Sequence, residues 1–222
     1  MATAAVPIRR TQAERTALSE SRILRAAVRL IAKRGYSKTT LADIGEAAGY
    51  SRGLVGHRFG SKEGLLQRLV PHLGGRFIED QLNPALHGRI GLEALEVMVD
   101  TYLNELVVRE EKLHALYVLM GEALGPVSEI RPVFARFNAS TRDIARAAIE
   151  AGIAAGKLRS DIDPSTEVVL FLGMLRGAAM QWVTDPGCFE IDRLGASMKA
   201  ALRDHLAPRD ATVAKRESGK KA

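Results

Sequence analysis

Apolar residues along this chain fall at helical spacing almost everywhere and at strand spacing almost nowhere. Ile23, Leu24, Ala27, Leu30 and Ile31 repeat at i, i+1, i+4, i+7 and i+8, which gathers them on one face of a helix that Gly35 stops. Thr40 stands three residues before Asp43, the spacing of a capping box, and Leu41, Ile44 and Ala48 share the inner face of a short second helix ended by Gly49. Ser51 is a good N-cap for a third helix, whose Leu54, Val55 and Phe59 point inward before Gly60-Ser61 breaks it. The pattern predicts a fourth helix from Lys62 through Leu65, Leu66, Leu69, Val70 and Leu73. Pro71 lies in its path and removes a backbone donor, so a kink or break is expected near Gln67 to Pro71.

The rest of the chain reads as further helices, at about Gly91 to Glu110, Lys112 to Leu124, Pro132 to Ala155, Ser165 to Thr184 and Ile191 to Leu206. Gly125-Pro126, Asp163-Pro164 and Asp185-Pro186 punctuate them. The expected fold class is all-α. Residues 1–15 and 207–222 lack periodicity and are expected to be flexible basic arms, solvated or touching a polyanion. Between them lie a helix-turn-helix head, residues 16–66, and a larger helical body, residues 67–206.

Composition narrows the function. The longest apolar run, around Val168 to Leu175, falls well short of the roughly 20 residues needed to cross a bilayer. The beginning, MATAAVPIRR, lacks a secretory apolar region, so a cytoplasmic protein without a membrane partner is expected. Charge is divided unevenly: residues 1–70 carry a balance of +8, residues 71–202 one of −5, and the final 20 residues +3. A basic head on an acidic body suits a protein that brings one end to a polyanion, although solvated surface charge gives the same division.

Enzyme motifs are missing: the chain has no G-x-S-x-G elbow, P-loop, G-x-G-x-x-G or HExxH. His57, His72, His87, His114 and His205 form no ligand pair at i, i+3 or i+4. No catalytic residue, metal or cofactor is therefore expected. The single cysteine, Cys188, sits among Asp185, Glu190 and Asp192, which disfavour a thiolate and point to a packing or incidental role.

The segment from Thr39 to Leu66 carries the positive signal. Its third helix buries one stripe and leaves Arg52, Gly53, Gly56, His57 and Arg58 outside, an arrangement suited to a DNA major groove. Arginine can fork onto guanine, histidine can bond a base edge or a phosphate, and glycine allows close backbone approach. As single residues, Thr40 and Ser51 serve equally well as plain caps.

The chain resembles the TetR family of transcriptional regulators. The resemblance rests on Gly35-Tyr36 closing the first helix, Thr39-Thr40 leading into the second, the Ala48-Gly49 turn, Ser51-Arg52-Gly53 and Phe59-Gly60-Ser61-Lys62-Glu63. A second stretch, Gly156 to Pro186, is similar to the family's penultimate, dimerising helix and its lead-in. The resemblance implies that Thr40 and Lys62 hold phosphates, that Arg52, Gly53 and His57 face bases, and that Arg58 meets phosphate; Thr39 and Ser51 complete the expected DNA-binding set. Gly56 departs from the pattern, because the family commonly has a tyrosine there.

The resemblance further implies a homodimeric repressor on a pseudo-palindromic operator in double-stranded DNA, released by a small and largely apolar effector. It also implies that the body holds a ligand cavity and pairs through its last two long helices. Tyr102, His114, Tyr117, Met120, Phe137, Met174 and Trp182 are the candidate cavity residues, although such residues at helical spacing also build plain core. Val168, Val169, Leu172, Leu175 and Ala179 give their helix more apolar surface than one buried stripe needs, which makes them the expected dimer contacts.

Overall fold

The computed structural model describes residues 11–75, 77–125 and 127–208, and every regular element among them is helical. The order is α1 (Gln12–Arg34), α2 (Leu41–Ala48), α3 (Arg52–Phe59), α4 (Lys62–Val70), two π-type segments (Pro71–Gly75 and Ile78–Leu82), α5 (Asn83–Leu86), α6 (Gly91–Val108), α7 (Glu110–Leu124), a 3-10 turn (Ser128–Ile130), α8 (Arg131–Ala154), α9 (Pro164–Thr184) and α10 (Ile191–Leu206). Among the described residues, no helix is long and apolar enough to cross a membrane.

Helix α1 starts earlier than the apolar pattern suggests. Thr11 and Glu14 form a capping box, in which the Thr11 side chain accepts from the Glu14 N–H and the Glu14 carboxylate accepts from the Thr11 N–H at 2.7 Å. Gln12–Arg15, expected within the flexible arm, are therefore helical, because a polar cap starts the helix ahead of its first buried residue. The remainder of that arm, residues 1–10, and residues 209–222 of the expected tail lie outside the described residues.

The chain has two cores. Ile23, Ile31, Ile44, Val55, Leu65 and Leu69 of the first four helices pack together, and Leu119 and Ala123 of α7 with Phe134 of α8 complete the same cluster. The head thus closes its core on the body rather than by itself. The second cluster joins Leu95, Val99 and Leu106 of α6 to Ile149 of α8, Val168, Phe171 and Leu175 of α9, and Leu202 of α10.

Helix α4 ends at Val70, so the expected break falls at Pro71. Pro71 keeps helical angles, φ −60° and ψ −34°, and the chain continues past Val70 in wider π-type turns. Proline has no N–H to donate back along an α-helix, and a widened turn accommodates the interrupted ladder. These wide turns carry the chain from the head straight into the wall of the body's inner cavity.

Candidate functional site

Gly45 lets α2 pack tightly against the start of α3, since a Cβ there would come within 2.9 Å of the Tyr50 carbonyl oxygen and 3.4 Å of the Arg52 nitrogen. Gly49 supplies the left-handed turn between them, at φ 75°. Side chains start both helices: Thr40 accepts from the Asp43 N–H, and Ser51 from the Leu54 N–H at 3.2 Å. Asp43 accepts in return from the Thr40 N–H and hydroxyl and pairs with Arg34 at 2.6 Å. The backbone and hydroxyl bonds from Thr40, followed by the Arg34 charge, hold the Asp43 carboxyl below its usual range.

Val55 and Phe59 anchor the inner side of α3, while Ser51, Arg52, Gly53 and His57 are exposed. Among the described residues, the Arg52 and His57 side chains make no hydrogen bond or ion pair, so their donors are free for an external acceptor. Nothing lies within 4 Å of a Cβ placed at Gly56, and at Gly53 only the Ser51 hydroxyl comes near, at 3.9 Å. The chain's own packing therefore requires neither glycine.

The expected backbone contacts fare differently. Thr39 is fully buried, with its hydroxyl donating to the Gly35 carbonyl at 2.7 Å; it supports the turn and is withdrawn from the exposed face. Arg58 donates to the Thr16 carbonyl at 2.5 Å, which ties α3 to α1. Lys62 donates to the Ser37 carbonyl at 3.3 Å and sits 4.0 Å above the Tyr36 ring. Both cations lie beside the exposed face but already have partners within the protein.

A contact absent from the sequence reading fastens this corner to the body. Near the end of α7, Glu122 accepts from the Tyr36 N–H at 2.8 Å, the Ser37 N–H at 3.0 Å and the Ser37 hydroxyl at 2.7 Å. Gly35 leaves room for it, since a Cβ there would come within 2.5 Å of the carboxylate. The same helix lines the inner cavity through Leu116, Tyr117 and Met120.

That cavity is lined mainly by apolar side chains. Its other walls come from Phe77, Ile78 and Leu82 of the π-type stretch, Met98 and Tyr102 of α6, Phe137 and Thr141 of α8, and Leu172, Leu175 and Arg176 of α9. A second space of about 410 Å³ shares Phe77, Tyr102, Leu116 and Phe137 with it and reaches Glu105, Arg109 and Lys112. The Phe137 ring lies directly against Gly74, where any Cβ would overlap it. Of the expected cavity residues, Tyr102, Tyr117, Met120 and Phe137 meet there. His114 is exposed, Met174 faces a different space between α9 and α10, and Trp182 packs on Phe189, with ring centroids 5.2 Å apart. Helical spacing gave their periodicity but not which side of each helix faces the cavity.

A similar correction applies to α9. Val168, Leu172, Leu175 and Ala179 are buried in the chain's own core and are unavailable to a partner. The exposed apolar row instead runs through Val169 (60%), Leu170 (58%) and Met180 (64%), with Gly173 and Gly177 open between them. Of the expected set, Val169 alone belongs to it. Ala196 and Ala200 on α10 are also exposed. Cys188 is exposed, which removes the packing role considered for it.

Residues 23–69 match the family model described as bacterial regulatory proteins, tetR family, and residues 91–207 match that of the C-terminal part of BetI-type transcriptional repressors. The HTH-type transcriptional repressor KstR2 of Rhodococcus jostii is 27% identical over 193 residues, spanning 83% of this chain and 89% of its own. A transcriptional regulator from Saccharomonospora viridis, solved in complex with choline, shares the fold at a TM-score of 0.72 and 22% identity, over 87% of this chain and 100% of its own. The regulator FadR of Bacillus subtilis, solved in complex with stearoyl-CoA, does so at 0.73 and 21%, over 82% and 96%.

Proposed function

Since the chain belongs to the TetR family of transcriptional regulators, we propose that it is a homodimeric repressor that grips a pseudo-palindromic operator and releases it when a small molecule fills the inner cavity. The observation that carries the reading is the outer face of α3. Arg52 and His57 stand there exposed and unpartnered among the described residues, beside two glycines that the chain's own packing does not need. A guanidinium on a short helix with a bare backbone fits base edges in a major groove. Thr40, at the start of α2, is placed to meet a phosphate, where the helix dipole favours an anion.

Dimerisation follows from α9. An exposed apolar row is best covered by another apolar surface, and open glycines let two helices approach closely. Two heads must then match half-sites about one DNA turn apart, roughly 34 to 36 Å, or a multiple of it.

Two structural routes run from cavity to head. The π-type wall continues into α4, and α7 carries near its end Glu122, which holds the turn before α2. An effector shifts the equilibrium only if it binds the released arrangement more tightly, so it must favour a different disposition of these walls. Glu122→Gln should leave effector binding intact while weakening its effect on DNA.

Selection from randomised duplexes with wild type, Arg52→Ala and His57→Ala tests the reading. Relaxed preference at particular base pairs is expected in the variants. Unchanged preferred sequences in both would refute base reading by α3.

A further inference from the structure

We propose that the inner cavity takes an anionic amphiphile, with an apolar body among the aromatic rings and a carboxylate held by Arg176. The proposal rests on the effector reading above and specifies the charge that the effector carries. Among the described residues, Arg176 is the one residue lining this cavity with an ionised side chain, and no aspartate or glutamate lines it. Some arginines elsewhere in the body find acids: Arg109 pairs with Glu105, Arg159 with Asp161 and Arg203 with Glu96. Among the described residues, Arg176 has no carboxylate within 4.0 Å and its guanidinium donates no hydrogen bond.

The cavity's hydroxyl groups cannot take its place. Tyr117 spends its proton on the Arg176 backbone carbonyl at 3.2 Å. Its oxygen lies 2.9 Å from that of Tyr102, so Tyr102 donates its own proton to Tyr117. Thr141 donates to the Phe137 carbonyl at 3.0 Å. The guanidinium is thus the donor left for a ligand.

Burial pushes both tyrosines' pKa values up, which keeps them neutral and leaves the charge of Arg176 uncompensated. A partly buried cation without a partner is costly, and a ligand carboxylate relieves that cost through paired, charge-assisted bonds. The surrounding rings would otherwise suit a quaternary ammonium, but a cation would meet Arg176 with no acid to balance it. The adjoining space adds two cations, Arg109 and Lys112, against Glu105.

The test uses the full chain and probes with two tails, octyl and 4-phenylbutyl, each ending in a carboxylate, an alcohol or a trimethylammonium group. Calorimetry reads binding, and fluorescence anisotropy with the selected operator reads release. Wild type should bind the carboxylates roughly tenfold or more tighter than the alcohols, and the ammonium probes least. Arg176→Gln should abolish the preference for carboxylate while still binding the alcohols, and Arg176→Lys should restore part of it. Tightest binding by the alcohol or ammonium probes, an undiminished preference in Arg176→Gln, or binding by none of the probes would overturn the proposal. Carboxylates that bind through Arg176 without releasing the operator would uphold the ligand class and refute the effector reading.

Discussion

Helices α3 and α9 use the same device for different partners. Each leaves two glycines open to solvent, Gly53 and Gly56 on α3, Gly173 and Gly177 on α9, although glycine inside a helix costs roughly 1 kcal/mol relative to alanine. The neighbours decide what the bare backbone can meet. Around the α3 glycines stand Arg52 and His57, and around those of α9 stand Val169, Leu170 and Met180. On the function proposed above, the first surface meets a polyanion and the second a copy of itself. Small residues thus give only closeness of approach, and the residues beside them specify the chemistry of the partner.

The largest effect that would break the comparison lies on α9. Gly177→Glu places a charge in the exposed row without touching the core, so helicity should persist while the dimer separates. Operator affinity should fall by about 10² to 10⁴, because the second head no longer binds as a tethered partner. Sedimentation with circular dichroism reads both; a dimer that survives the change would remove α9 from the comparison.

On α3, Arg52→Ala should cost about 1 to 3 kcal/mol per half-site at one favoured base pair and leave the oligomer unaltered. Competition between duplexes differing at single positions measures it. A uniform loss across all sequences would make Arg52 a phosphate contact instead.

Smaller changes sharpen the parallel. Gly56→Ala should raise the stability of the free protein by about 0.5 to 1 kcal/mol through helix propensity while weakening operator binding. Gly173→Ala should loosen the dimer and leave base preference unchanged. Melting curves set against anisotropy and sedimentation separate the two, and a tighter operator complex in Gly56→Ala would argue against close docking.

The smallest effect concerns the caps. Hydrogen bonds from Thr40 lower the Asp43 pKa, and those from Thr166 lower that of Asp163, the N-cap of α9. A carboxylate with a lowered folded-state pKa adds stability above the ordinary aspartate range, and this is lost as pH falls through the folded value. Asp43→Asn and Asp163→Asn should each flatten the acid limb of a melting-temperature profile slightly. An unchanged profile in both would show that these caps do not respond to acid.

The head was legible in the sequence because its signals are local. Thr40 and Ser51 cap where their spacing to Asp43 and Leu54 says they should, and Gly49 turns the chain between α2 and α3. The body was legible as helices but not as faces. In α9, apolar residues surround much of the helix, so no stripe announces itself as inward, and Val168 and Leu172 were assigned outward although the core takes them. Arg176 and Glu122 gave no sequence signal, since a lone charge on a helix reads as solvated surface. What each does depends on what lies across from it: the turn at Tyr36 and Ser37 for Glu122, and, for the role proposed for Arg176, the cavity that it lines.

The wide turns after α4 also set a helical phase. In an α-helix each residue rotates the chain by about 100°, and π-type turns rotate it by less. Past Pro71–Gly75 and Ile78–Leu82, side chains therefore fall at different angles about the axis from those an uninterrupted α4 would give. Phe77, Ile78 and Leu82 reach the cavity at that altered angle, while Leu65 and Leu69 upstream keep their hold on the head. Removing a residue from the wide turns would leave every side chain chemically intact and still aim the cavity wall in the wrong direction. The segment thus sets an angular offset between the helix that serves the head and the side chains that serve the cavity.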